Sequence, residues 1–528
     1  MDASSISSNA GTTSTDYAAP ANAVRISAGA DIQSAVNSHP NGTAFLLSAG
    51  TYYGQTIRPK DGDSFYGENH ATILDGNGAQ RAFDGQPVSN VTISGLKITD
   101  YAPNNPGTGA LGTDGSSVNW TVAGNEFYGI RSSVPIMLGT NMTVKDNYIH
   151  DNEMAGIGAY NTRGSVVEHN ELANNNQSHN GPFTATGSGA GIKVFTVSDV
   201  TIANNYVHDN VTSPGIWVDG GSKSTTIENN WVANNDAPGV LVELDYGASV
   251  RGNLIEGNND PSFQGFEGGG VYVQNSSNTE VADNILRGNV GGVWVFEENR
   301  GSGAQGPYVV SNDSVHGNTI QLSAGDNGMG GTVQNGDVRW YDNDYYLSGS
   351  ASLIAGGGTK SVSQWQGSGL DTSSSGSTFN SGSLPTNTST GSTSQGGAVA
   401  PEQTSSSGST AAVVQTIGSG SDELVLKLSQ DYFQGNAQYT VAVDGKQVGG
   451  TLTAGALSGS GQEDVLTVKG DWASGSHTLT VAFINDRFEN TPGSDRNLHI
   501  DQVRFEGTDL GSGYDVLYSN GHLDFSFG

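Results

Sequence analysis

Val144-Lys-Asp-Asn147-Tyr-Ile-His-Asp-Asn152 returns as Ile202-Ala-Asn-Asn205-Tyr-Val-His-Asp-Asn210 and again as Ile227-Glu-Asn-Asn230-Trp-Val-Ala-Asn-Asn235. The shared unit reads apolar-x-apolar-x-x-Asn-x-apolar-x-x-Asn, followed by Gly-apolar-x-apolar. Further copies place their first Asn at Asn125, Asn170, Asn253 and Asn284, with steps of 23 residues from 147 to 170 and 25 from 205 to 230. Such a period is the length of one coil of a solenoid. Within each copy, short runs alternate apolar with other residues, the pattern of strands with one buried face. Stacked coils then form three parallel sheets, with the Ile and Val of each coil resting on those of the next. The repeated Asn residues read as structural, because Asn tolerates left-handed turns and stacked amides can bond from coil to coil. An open stack needs its end covered. Asp31-Ile-Gln-Ser-Ala-Val36 is expected as the capping helix, and Gly50-Thr-Tyr-Tyr-Gly54 as the entry to the coils.

On these repeats, residues 22–374 resemble the pectate-lyase-like right-handed parallel β-helix superfamily. Its members are mostly lyases, hydrolases or epimerases of polysaccharides, with some phage tailspikes and adhesins. The resemblance speaks to fold, whereas function depends on the site. The chain has no close match to the pectate-lyase Arg pattern, to the paired-Asp and Gly-His-Gly pattern of polygalacturonases, or to the Asp-Pro-His motif of alginate epimerases.

Composition agrees with an all-β reading. The 528 residues exceed one ordinary core, and 77 glycines with only 34% hydrophobic residues argue against a helical globule. Cysteine is absent, so any metal is held by oxygen or imidazole, and calcium is expected. The net charge of −31 disfavours nucleic acid and weighs against a polyanionic substrate. No run approaches the length of a membrane-spanning helix. The N-terminal 1–21 is expected to be flexible, and Met1-Asp-Ala-Ser-Ser-Ile-Ser-Ser-Asn lacks the basic and apolar regions of a cleaved signal.

From 375 to 415 the chain turns to Ser, Thr and Gly, the composition of a tether. Alternation resumes at Glu423-Leu-Val-Leu-Lys-Leu428, Tyr439-Thr-Val-Ala-Val443 and His477-Thr-Leu-Thr-Val-Ala-Phe483, with a hairpin signal at Asp444-Gly445. The stretches Asp431-Tyr-Phe-Gln-Gly-Asn-Ala-Gln-Tyr-Thr-Val-Ala-Val-Asp-Gly-Lys446 and Asn485-Asp-Arg-Phe-Glu-Asn-Thr-Pro-Gly-Ser-Asp-Arg-Asn-Leu-His-Ile-Asp501 resemble the calcium-dependent xylan-binding family of carbohydrate-binding modules. The resemblance implies a small β-sandwich over 416–508 and puts Asp486 and Asp495 as calcium ligands, with sugar hydroxyls completing the shell. Phe488 stands where related modules often carry Tyr, and Asn436 where an acid is expected, so the glycan is left open. The ending 509–528, with Leu517-Tyr-Ser-Asn-Gly-His-Leu-Asp-Phe-Ser-Phe-Gly528, resembles the uncleaved signals of bacterial type I secretion substrates. The expectation is a secreted, monomeric protein with a polysaccharide partner and no organic cofactor.

Residues alternate sides along a strand, so the strands after the second Asn define two outward rows. One is Lys193, Trp217, Leu241, Tyr272 and Trp294; the other is Phe195, Asp219, Glu243, Gln274 and Phe296. Aromatics among polar groups suit stacking on sugar rings. Trp217, Tyr272, Trp294, Gln274 and Phe296 are therefore the expected substrate-binding residues, in a cleft walled by the insertions 176–189 and 259–268. Asp219 and Glu243 on adjacent coils form a candidate acid and base for glycoside hydrolysis. Lys193 supports the rival chemistry, proton abstraction beside a uronate carboxylate by a lyase or epimerase. A third reading is a non-catalytic glycan-binding surface protein. His208-Asp209 repeats His150-Asp151 and is read as structural.

Overall fold

The computed structural model describes residues 18–528 except 69–70, 85–86, 105–107, 113–116, 179–188, 259–268, 323–327, 332–337, 349–352, 356–357, 373–376, 382–412, 432–434, 457–462, 473, 486, 489–494, 507, 511–514 and 518–520. It contains two compact units, one built by the repeats and one by the C-terminal segment.

The first unit is a parallel β-helix. Its first sheet has 13 strands, from Val24–Ile26 to Val338–Tyr341; its second has 13, from Gly50–Tyr53 to Thr378–Ser381; its third has 10, from Ile136–Leu138 to Gly358–Lys360. One coil supplies one strand to each sheet, as in Thr143–Lys145, Tyr148–His150 and Ile157–Tyr160. Equivalent residues of successive repeats pair in register, for example Ile202 with Ile227 and Val207 with Val232. These inward side chains are fully buried and merge into one core running along the stack. The helix Ile32–Ser38, capped by Asp31, covers the start with Ile32 and Val36.

The Asn residues divide two tasks between neighbouring positions. The residue before each ladder Asn takes the left-handed conformation: Asp146, Asn204, Asn229, Asp151 and Asp209 all have φ between 52° and 56°. The following Asn then lies inside, where the Asn147 side-chain amide donates to Asn170 Oδ1 at 2.9 Å and to the Val122 carbonyl at 2.9 Å. The Asn147 backbone N–H also donates to Asn170 Oδ1, at 3.1 Å. This satisfies polar groups that burial would otherwise leave costly. The ladder runs from Asn125 through Asn284 and on to Asn318 and Asn343, and a second one links Asn152, Asn175, Asn210, Asn235, Asn258 and Asn289. The first ends on buried Asp371, which also accepts from Tyr345, Trp365 and Ser377.

Two expected boundaries move. The strand Thr378–Ser381 still pairs with Asp344–Leu347, so the β-helix continues past residue 374; of the tether, residues 382–412 lie outside the described residues. The C-terminal unit is formed by two largely antiparallel sheets around a common core, with Val443 paired to Lys446 across the Asp444-Gly445 turn. Residues expected as a tail belong to it. Gly521–Phe527 pairs along its whole length with His477–Phe483, and Phe525 and Phe527 are buried in the core. The alternation of Leu523, Phe525 and Phe527 is a strand's signature and explains the difference.

Candidate functional site

The third sheet carries both outward rows in the expected register. Lys193 pairs with Trp217, Phe195 with Asp219, Glu243 with Gln274, and Gln274 with Phe296. Val218 pairs with Val242, so Asp219 and Glu243 end adjacent strands whose backbones are about 4.8 Å apart.

Lys193 Nζ lies 3.2 Å from Asp219 Oδ2 and 3.2 Å from the centre of the Trp217 ring. Arg300 Nη2 lies 2.7 Å from Glu243 Oε1. The result is a line of alternating charge, Lys193, Asp219, Glu243 and Arg300, across three coils and one loop. Burial pushes the Asp219 carboxyl up, against the pull of the Lys193 ammonium. Burial also raises the Glu243 carboxyl, and the Asp219 charge adds to that while Arg300 opposes it. Burial draws the Lys193 ammonium down, with Asp219 holding it back. Burial thus shifts all three groups from their ordinary values, each against an opposing charge beside it.

Arg300 is the residue that sequence reasoning missed. It lies on the connection following the strand Val293–Phe296, where Asn275 Nδ2 donates to the Glu298 and Tyr308 carbonyls at 2.5 and 2.9 Å. Tyr246 OH accepts from Gly303 N and donates to the Gly306 carbonyl. These contacts fix the loop. Its extra length after a third-sheet strand was visible in the sequence, but nothing there tied its arginine to Glu243.

The first outward row requires a correction. Trp217, Tyr272 and Trp294 face away from the helix axis as expected, yet they are only 4%, 7% and 2% exposed. With Ala190, Leu241 and Ala237 they form a hydrophobic cluster outside the coils, against which Phe296 and Ile354 pack. Large apolar side chains stacked on successive coils exclude water from one another, so Trp217, Tyr272 and Trp294, expected to lie open to sugar, are packed against one another among the described residues. Gln274 and Phe296 remain half-exposed. The insertions expected as walls fall mostly on 179–188 and 259–268, outside the described residues.

His208 and His150 are held as the repeat predicts. His208 lies between Asp209 at 2.6 Å and Glu171 of the preceding coil at 3.3 Å, stacked on Tyr206. Burial would lower its pKa, but the two carboxylates outweigh this and raise it to about 9.

In the C-terminal unit, Asp486 lies outside the described residues. Asp495 opens the strand Asp495–Phe505 and pairs through its backbone with Phe488, which brings it to the hairpin that follows Asp486. Arg496 braces this region by donating to the Gly435 and Asn485 carbonyls at 2.8 and 2.7 Å. Carboxylates are the hard oxygen donors that calcium takes, so the residue types expected as ligands suit that ion. Among the described residues, no group of three or more His, Asp or Glu is placed to hold a metal.

Comparison with known proteins agrees with this architecture. Residues 82–255 and 186–338 match the family described as right-handed beta helix region, and residues 423–519 match the calcium-dependent, xylan-binding carbohydrate-binding module family. No curated protein matches the chain. Similar solved structures include the A-module of a mannuronan C-5 epimerase from Azotobacter vinelandii, at 18% identity and TM-score 0.43, covering 65% of this chain and 95% of that one. Another is XylC in complex with xylose, at 11% identity and TM-score 0.47, covering 63% and 86%. A third is the catalytic unit of a thermostable α-1,3-glucanase from Streptomyces thermodiastaticus, at 12% identity and TM-score 0.44, covering 69% and 68%.

Proposed function

We propose that this chain, a right-handed parallel β-helix followed by a carbohydrate-binding module of the calcium-dependent xylan-binding family, is a secreted glycoside hydrolase. Its module brings it to polysaccharide, and its third sheet cleaves the chain. The observation that carries this reading is the pair of largely buried carboxyls at the ends of adjacent strands, set in unequal environments. Lys193 favours the Asp219 anion and Arg300 that of Glu243, but Glu243 also feels the Asp219 charge, which opposes its ionisation. Unequal carboxyls of this kind divide into roles. Glu243 holds the proton and delivers it to the leaving glycosidic oxygen; Asp219 acts as base or nucleophile on the other side of the sugar. Lys193 and Arg300 hold the two carboxyls in place. In the C-terminal module, Asp486 and Asp495 would hold calcium, which when bound supplies a coordination site for sugar hydroxyls.

Product analysis of the intact protein with calcium, on xylans, glucans, mannans, pectins and alginate, tests this reading. New reducing ends without unsaturated-product absorbance are expected. Glu243→Gln and Asp219→Asn should each lower turnover at least about a hundredfold while glycan retention persists; full turnover in both variants overturns the assignment. A second reading has its own observation, since burial draws the Lys193 ammonium toward a basic amine. A lyase or epimerase built on Lys193 would instead form unsaturated uronates or change uronate configuration.

A further inference from the structure

Among the described residues, three large hydrophobic side chains are exposed, and only one of them, Tyr160 at 48%, lies on the third sheet. It pairs in register with Phe195, which pairs with Asp219 on the next coil. The Tyr160 and Phe195 rings stack at 5.7 Å with 17° between their planes. Gly220, directly after Asp219, has φ of +64°, and a Cβ there would collide with the Phe195 ring. Phe195 is therefore enclosed between the Gly220 backbone and the Tyr160 ring, and Tyr160, stacked on it one coil further, presents the exposed aromatic surface. Coil steps of about 4.8 Å put this surface beside the carboxyl pair, on its N-terminal side.

Charge limits the ligand. The two cations of the row are already engaged, Lys193 with Asp219 and Arg300 with Glu243. The same loop adds two acids, Glu297, which accepts from Val310 N, and Glu298, 3.5 Å from Gln274. Within the row itself, a polyanionic sugar would meet carboxylates whose cations are already paired. An uncharged pyranose offers aliphatic ring hydrogens, which suit an aromatic face.

We propose that Tyr160, backed by Phe195, forms a binding subsite for one neutral pyranose of a polysaccharide lying along the helix axis, on the N-terminal side of the bond that the Asp219–Glu243 pair cleaves. The position of the cleaved bond rests on the hydrolase reading; the binding of the ring does not.

The test uses the full chain in EDTA, which disables the calcium-dependent module, titrated calorimetrically with xylo-, gluco- and manno-oligosaccharides and with oligouronates. A neutral series is expected to bind. Tyr160→Ala should weaken that binding about five- to tenfold, the range of a single aromatic contact, and raise KM by the same factor with kcat retained. Tyr160→Phe should behave as the parent. Equal binding by Tyr160→Ala, tighter binding of oligouronates than of neutral oligosaccharides, or no neutral ligand at all overturns the subsite. Binding as expected with full turnover in Glu243→Gln leaves the subsite standing and removes the hydrolase reading.

Discussion

At the residue scale, the protein keeps ionisable groups in two settings. Those of the third sheet are paired, and their shifted pKa values follow from burial against a known partner. Asp245 is different. It is fully buried, and the Ala248 amide alone offsets the burial, so its carboxyl is pushed up to about 8. An unfolded Asp loses its proton near pH 4. Between that pH and about 8 the native state therefore holds a proton that the unfolded state has lost, and stability falls as pH rises, by up to about 1.4 kcal/mol per pH unit. Asp245→Asn should flatten this slope and raise stability at pH 8. Denaturant midpoints at pH 5 and pH 8 check it; an unchanged slope in the variant refutes the assignment. No sequence pattern announced Asp245, because its isolation depends on what the neighbouring coils place around it.

At the element scale, the unit of stability is the coil and its Asn. The Asn230 amide donates to the Ile202 carbonyl and to Asn253, while its oxygen accepts from the backbone and side chain of Asn205. Asn230→Ala removes these bonds and strands buried groups in the coils on either side. A cost of at least about 3 kcal/mol is expected, read as a fall in the unfolding midpoint of the β-helix. The ladder was legible in the sequence because Asn recurs at coil spacing. Its partition into a left-handed residue and a bonded Asn was not, since both positions carry Asn in several repeats. The same partition explains His208-Asp209: Asp209 makes the turn, and His208 bonds back to it and across to Glu171. The outward aromatic row shows the converse. Alternation placed Trp217, Tyr272 and Trp294 outside the coils, but direction along a strand says nothing of what packs over it.

At the scale of the whole molecule, two units with separate cores should respond separately. Removing residues 521–528 takes away one of the two strands paired with His477–Phe483 and deletes Phe525 and Phe527 from the second core. Loss of the C-terminal unfolding transition is expected, with that of the β-helix unchanged; calorimetry distinguishes the two. Calcium chelation is expected to abolish retention on insoluble glycan yet leave cleavage of soluble oligosaccharides intact, which pull-down and reducing-end assays compare directly. The sequence by itself determined the β-helix, the register of its third sheet, the stacked Asn residues and the family of the C-terminal module, because each is written in local periodicity or in a contiguous motif. Tertiary structure decided that Arg300 faces Glu243, that the Trp217 row is covered while Tyr160 is exposed, and that the last strand closes the sandwich. Those contacts join residues far apart in the chain, and their outcome is set by which surfaces exclude water from one another, a property of the assembled coils that no single repeat encodes.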